Sequence, residues 1–319
     1  MDRLGLNRFE AIYAYPLKVP EQSFVFWADS NHNWRNIIMG NIINVKELAA
    51  KYKEDIKAFT KKRSKDGKSV PTLATVLVGD DEGSKYYLNS QTRVAESLGM
   101  GKVNITLPEE TTEEELLAAI RDLNSDKDVH GIMVLFPLPK HMDGKKVSAA
   151  IAKEKDIDGV NPINAGLLFM GDRAFVPCTA KSAHTIIKET LGDITGKNVV
   201  IVGRSNIVGK PLAMLLLADH ATVTMAHSRT KNLPELTKSA DIVVAAVGRP
   251  HMFTAEYFSP GQTVIDVGTS ELDGKMTGDV KTDEAVEIVD YVTSVPGGVG
   301  AITTTILMKN VCEASELEY

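Results

Sequence analysis

The sequence predicts an α/β protein of two domains, the second laid out as a Rossmann-like, doubly wound nucleotide-binding sheet. Three observations carry this. From Asn41 onward short apolar runs alternate with helical patterns, an alternation that implies parallel strands joined by right-handed crossovers. The 319 residues are enough for two cores of ordinary size. A strand at Asn198–Val202 runs through Gly203-Arg-Ser-Asn-Ile-Val-Gly209 directly into a helix, the unit on which nucleotide-binding sheets are built.

Residues 1–39 differ from the rest. They hold both tryptophans, Trp27 and Trp34, yet show neither a sustained helical period nor clean alternation. They fit neither a secretory signal nor a transit peptide, since acids are scattered through them. They read as a poorly structured extension or a mis-assigned start ahead of Met39-Gly40, with a docked surface tail as the alternative. An amphipathic helix then runs from Asn41 to about Ser64, followed by Pro71 and the strand Thr72 to Val78. A second helix starts near Ser84, which can cap it, and stops at Gly99. Glu113 to Asn124 reads as a third helix, and Val129 to Phe136 as a buried strand closed by Pro137-Leu-Pro139. The second unit opens after Asp158, with a helix at Thr179 and the strand at Asn198. The helix behind the glycine turn carries Pro211 in its first turn, where the missing N–H costs little. Strands Thr222 to Ala226, Ile242 to Val247 and Thr263 to Val267 follow, and a last helix, Ala301 to Ala314, returns toward the first unit.

Composition narrows the function. Thirty-six basic against 42 acidic side chains leave a net charge of -6, which offers no basic face to displace counterions from nucleic acid. No apolar run approaches the roughly 18 residues that span a bilayer, so no membrane partner is expected. Two cysteines, Cys178 and Cys312, make neither a disulfide framework nor a thiolate metal site, and a reducing cytoplasm fits best. The seven histidines show no metal-ligand spacing, so no metal is expected. Cys178, between Pro177 and Thr179, has no evident basic partner and reads as structural.

The glycine turn points backbone N–H groups and a positive helix end at the place a pyrophosphate would occupy. Its spacing is not the three-glycine dinucleotide fingerprint, so a ligand-free tight turn remains open on this evidence. The strand that follows ends His227-Ser228-Arg229 without the carboxylate that meets an unphosphorylated ribose. Ser228 can donate to a 2′-phosphate, and Arg204 or Arg229 can pair with it, which favours NADP over NAD. A solvated surface is the alternative reading of these arginines.

Five segments then stand together: Lys155-Asp-Ile-Asp-Gly159, Val176-Pro-Cys-Thr179, Val202-Gly-Arg-Ser-Asn-Ile-Val-Gly-Lys-Pro211, Val264-Ile-Asp-Val-Gly268 and Val295-Pro-Gly-Gly-Val-Gly300. In order and spacing they resemble the methylenetetrahydrofolate dehydrogenase/cyclohydrolase family, from about Gly40 to Ala314. The resemblance implies a folate-binding α/β domain (40–160 plus 295–319), an NADP-binding Rossmann domain (161–294), an active site in the cleft between them, tetrahydrofolate derivatives as substrates, and a homodimer. It assigns Gly203, Arg204, Ser205, Ser228 and Thr269 to the cofactor, and Tyr87, Leu135, Asp158, Pro296, Gly297 and Gly298 to the folate. Tyr87, Gln91 and Asp158 occupy the catalytic positions.

Two of those positions depart from the family's pattern. Ser84-Lys-Tyr-Tyr87-Leu-Asn-Ser-Gln91 keeps the tyrosine that stacks on folate but has glutamine where the family has a lysine four residues on. Leu135-Phe-Pro-Leu-Pro139 has leucine where the family has a glutamine. Dehydrogenation passes a hydride from the methylene carbon to the nicotinamide, and the folate's own nitrogen stabilises the cation, so no protein base is obligatory. Hydrolysis of the methenyl product needs an activated water and a relayed proton, which an amide cannot supply. The sequence therefore predicts a dehydrogenase with weak or absent cyclohydrolase. Two readings stay open: a full bifunctional enzyme, for instance with Lys85 substituting from the far helix face, and a non-catalytic paralogue. Taken without the resemblance, Tyr87 is a packing tyrosine, Asp158 a turn cap and Pro296–Gly300 an ordinary loop.

Overall fold

A computed structural model describes residues 40–317 and, as strands alone, Val25–Ala28 and Trp34–Ile37. The last two pair antiparallel; the rest of the expectation for residues 1–39 lies outside the described residues.

Thr72–Val78 is the middle strand of a three-stranded parallel sheet, flanked by Gly101–Leu107 and Gly131–Val134. Covered on both faces, it reads as a continuous apolar run. Gly101–Leu107 is an edge strand with alternating exposure, and the sequence reading leaves it unassigned. The strand expected to end at Phe136 stops at Val134, and the chain leaves the sheet through the cis peptide Phe136–Pro137.

The second sheet has six parallel strands in the order Asn41–Ile42, Tyr291–Val292, Thr263–Asp266, Ile242–Ala245, Asn198–Val202, Thr222–Ala226. Asn41–Ile42, read from sequence as the start of a helix, is thus extended; the helix is Val45–Lys65, capped by Asn44. After Asn198–Val202 the chain adds a strand on one side, then returns to add three on the other, where Asn41–Ile42 forms the outer edge. This reversal opens a crevice at the carboxyl ends of the strands, where ligands of such sheets bind.

The helix Val299–Ala314 joins the two sheets. It packs against Val45–Lys65, Cys178–Leu191 and the strands Thr72–Val78 and Gly131–Val134, and one continuous core runs from Leu48 and Leu73 through Ile306 and Ile186 to Ile201. Its expected return to the first unit is what the structure has. The far faces carry separate cores, around Val243 and Phe253 on the larger sheet and Ile120 and Ile132 on the smaller. Among the described residues no helix is long and apolar enough to cross a membrane, and no cluster of His, Cys, Asp or Glu has a metal-binding arrangement.

Candidate active site

The helix Glu82–Ser97 carries Tyr87 and Gln91, one turn apart. Its cap is Asp81, not Ser84: Asp81 Oδ2 accepts from Ser84 N and Ser84 Oγ, each at 2.8 Å. Ser84 lies inside the first turn, where its hydroxyl strengthens the cap instead of making it. Lys85 is ion-paired with Asp80 and, at 3.0 Å, with Glu82 at the surface.

Tyr87, Leu135 and Asp158 meet on a cavity of about 1120 Å³ between the two sheets, whose other walls include Phe169, Lys210 and Met214. Tyr87 also borders a smaller cavity of about 170 Å³ with Thr179, Thr269, Gly300, Thr303 and Thr304. The tyrosine therefore separates the region of Asp158 from that of Thr269. Burial of the phenol, with the Asp158 charge nearby, raises its pKa above the ordinary range, and hydrogen bonding with Gln91 and Thr304 offsets only part of this.

Gln91 is 1% exposed. Its Oε1 accepts from Thr75 Oγ1 at 3.3 Å and its Nε2 donates to Met133 Sδ at 3.1 Å. Leu135 packs with Leu77, Leu88, Tyr87 and Met133.

In Lys155-Asp-Ile-Asp-Gly159 the cavity is lined by Asp158 and Gly159. Lys155 Nζ donates to the carbonyls of Leu123 and Asp126. Asp156 accepts from Asn164 Nδ2 and the Val160 and Asn161 N–H groups, and burial still pushes its carboxyl up to about 6. Asp158 Oδ1 accepts from Cys178 N at 3.1 Å; desolvation raises its pKa, and the Cys178 contacts hold it partly down. Cys178 is buried, hydrogen-bonded to Ile157 O, and its thiol is pushed well above the usual range. Burial thus disfavours the thiolate form, the nucleophilic one, at this position.

The cofactor candidates gather at the carboxyl edge of the larger sheet: Gly203, Arg204 and Ser205 after Asn198–Val202, Ser228 after Thr222–Ala226, Thr269 after Thr263–Asp266. Gly203 has φ +140°, and a Cβ there would lie 2.2 Å from Ala246 O. A Cβ at Gly209 would lie 2.2 Å from Gly203 O. Only glycine closes this turn. Arg204, Ser205, Ser228 and Arg229 are exposed, no side chain caps the helix Gly209–Ala218, and no carboxylate lies between His227 and Thr230. This donor set, with room for a backbone-held phosphate and no acid opposing it, fits a 2′-phosphorylated dinucleotide.

Pro296, Gly297 and Gly298 border neither cavity, whereas Gly300, two residues on, borders the smaller. Gly297 has φ +106° and a Cβ at Gly298 would lie 2.4 Å from Ser294 O, so these glycines shape the entry to the helix Val299–Ala314.

Sequence reasoning missed a buried carboxylate pair behind the cofactor edge. Asp279 accepts from the N–H groups of Val247, Gly248 and Arg249, and Asp266 from those of Gly268, Asp279 and Val280. They order the two loops that follow Ile242–Ala245 and Thr263–Asp266. Burial raises Asp266 to about 6. The available signal is glycine: a Cβ at Gly268 or Gly278 would strike the carboxyl of Asp279 or Asp266 respectively.

Comparison with known proteins adds a second line. Residues 43–158 match the family model described as tetrahydrofolate dehydrogenase/cyclohydrolase, catalytic domain, and residues 177–319 its NAD(P)-binding domain. The chain is 51% identical over 276 residues to the bifunctional protein FolD of Clostridium acetobutylicum, covering 86% of this chain and 99% of the relative. Among solved structures, the FolD methylenetetrahydrofolate dehydrogenase/cyclohydrolase from Campylobacter jejuni matches with TM-score 0.84 at 38% identity, over 86% of this chain and 98% of that one. The Trypanosoma brucei methylenetetrahydrofolate dehydrogenase-cyclohydrolase, complexed with NADP cofactor and inhibitor, matches with TM-score 0.81 at 32% identity, over 87% and 97%.

Proposed function

Because this chain belongs to the tetrahydrofolate dehydrogenase/cyclohydrolase family, we infer that it is an NADP-dependent 5,10-methylenetetrahydrofolate dehydrogenase of one-carbon metabolism whose hydrolytic second step is impaired. NADP, when bound, accepts the hydride. Gly203 leaves space for the phosphates against backbone, and Arg204, Ser205 and Ser228 supply charge and donors. Thr269 faces the small cavity beside Tyr87, where the nicotinamide end would approach the folate. Tyr87, kept protonated by burial, offers its ring as a stacking face, and Asp158 offers acceptors to the pterin. Pro296, Gly297 and Gly298 act at one remove, by fixing the entry of the helix that presents Gly300 to the small cavity.

One observation carries the loss of hydrolysis. Both ends of the Gln91 amide are occupied, by Thr75 and Met133, and the side chain also hydrogen-bonds Tyr87. An amide at position 91 does not titrate, and losing a positioned acid–base group lowers rate by roughly 10²- to 10⁴-fold. Retention of the glycine turn, Asp158 and the glycine loop speaks against a non-catalytic paralogue. The test is NADPH formation by the purified chain given methylenetetrahydrofolate and NADP; none above an enzyme-free control contradicts the assignment.

The family pattern extends to a homodimer, for which the open edge strand Thr222–Ala226 is available, and light scattering in solution decides it. Buried, unpaired Cys178 and Cys312 accord with a reducing cytoplasm.

A further inference from the structure

Asp158 is held from behind by contacts to Cys178 and by two residues outside the sequence motifs, Asn310 and Lys181. Cys178 N donates to its carboxylate, and Cys178 Sγ donates to Ile157 O at 3.4 Å. That carbonyl belongs to the peptide bond joining Ile157 to Asp158. Asn310 Nδ2, from the helix Val299–Ala314, donates to the same carbonyl at 2.7 Å and lies 3.4 Å from Cys178 Sγ. Asn310 is fully buried.

A carboxamide fits its slot either way round, and only one orientation sets the NH₂ against a carbonyl. Lys181 selects it: Lys181 Nζ donates to Asn310 Oδ1 at 2.6 Å, and an ammonium has nothing to accept from a reversed NH₂. Glu313, one turn beyond Asn310, holds Lys181 Nζ at 3.1 Å. An apolar side chain at 310 would leave the buried Ile157 carbonyl with only the thiol as donor, so the amide also serves to satisfy that carbonyl. The arrangement does something more specific. It fixes the peptide plane at Asp158 to the same helix that presents Gly300, Thr303 and Thr304 to the small cavity.

We propose that Asn310 and Lys181 are positioning residues for folate: they set the direction of the Asp158 carboxylate relative to the hydride-transfer cavity. This rests on the reading of Asp158 as the pterin-binding carboxylate. Neither residue lines either of the two cavities, and both act through the Ile157–Asp158 peptide and Cys178.

The test uses the full chain, with tetrahydrofolate and NADP as separate titrants in calorimetry. Asn310→Asp removes the donor at nearly constant volume, and Lys181→Met removes the group that orients the amide. The tetrahydrofolate Kd is expected to rise by about tenfold in the first and roughly threefold to tenfold in the second, with the NADP Kd within about twofold of the wild-type value. Lys181→Arg, which can still donate to Asn310 Oδ1, restores folate affinity. Unchanged tetrahydrofolate affinity in both variants, or equal weakening for both ligands, overturns the proposal. Should Asn310→Asp fail to fold, the Lys181→Met and Lys181→Arg pair decides alone, since Lys181 is only half-buried. Wild-type protein that binds tetrahydrofolate but forms no NADPH contradicts the oxidoreductase reading while leaving this comparison decisive. Wild-type protein that binds no tetrahydrofolate overturns both.

Discussion

Gln91 donates from Nε2 to the thioether sulfur of Met133 at 3.1 Å, so this buried side chain, which we assign to the family's lysine position, is turned into the protein. Thr75 holds the other end of the amide. The result is a closed polar cluster in apolar surroundings, stable because each amide end has a partner.

Restoring the lysine alone therefore fails. In Gln91→Lys an ammonium replaces an amide buried among Thr75, Met133 and Tyr87, which costs roughly 3 kcal/mol of stability and depresses its pKa by desolvation. Methenyltetrahydrofolate hydrolysis is expected to change little in the single variant and to rise by about tenfold or more once Leu135→Gln supplies a hydrogen-bond partner. Absorbance decay of the methenyl compound measures both. No gain in the double variant would count against the assignment of these positions.

The glycine turn gives a sharper contrast. Gly203→Ala drives a Cβ into Ala246 O at a backbone φ of +140°, with an expected cost of roughly 2–4 kcal/mol and at least a tenfold loss of NADP affinity. Gly67→Ala, at φ +70° in open space, costs only about 1 kcal/mol and leaves NADP binding intact. Thermal melts and NADP titrations of the two proteins check this.

Asp81→Ala removes the cap of the helix bearing Tyr87. Two 2.8 Å contacts to Ser84 are lost, for about 1 kcal/mol, and the KM for methylenetetrahydrofolate is expected to rise more than that for NADP. Urea melts and steady-state kinetics test the pair of effects.

The pH dependence of stability has a sign that Asp266 fixes. Its folded-state pKa, about 6, exceeds the ordinary 3.8 because burial disfavours the anion. The folded state thus holds the proton more tightly than the unfolded chain. Stability from this group is full below about pH 4, declines as pH rises to about 6 and is lost above it, by about 3 kcal/mol in all. Asp266→Asn does not titrate and loses N–H contacts at every pH, so its deficit against wild type is largest near pH 4 and narrows toward pH 7. Urea unfolding at both pH values reads it; a deficit that widens would reverse the sign.

Much of this fold is legible because its central strands are buried on both faces and its strands end on punctuation. Asn198–Val202 stops at Gly203, and Thr222–Ala226 at His227-Ser228. Ile242–Ala245 ends two residues early because Asp279 gathers the N–H groups of residues 247–249 into a turn. That device cannot be read locally, since its donors and acceptor are some thirty positions apart. Gly101–Leu107 escaped notice because every second side chain, such as Lys102 and Asn104, faces outward. At the site, Tyr87, Gln91, Leu135 and Asp158 carry recognisable spacing, whereas Asn310 is an ordinary position in a buried helix until its partners on Ile157 and Lys181 are seen.

Product stoichiometry tests the central claim most directly. With methylenetetrahydrofolate and excess NADP, NADPH and methenyltetrahydrofolate are followed together at two wavelengths. A dehydrogenase without an effective hydrolase accumulates the two in equal amounts through the early turnovers. NADPH appearing while the methenyl compound stays near zero would mean that hydrolysis keeps pace, and would contradict the reading of Gln91 and Leu135.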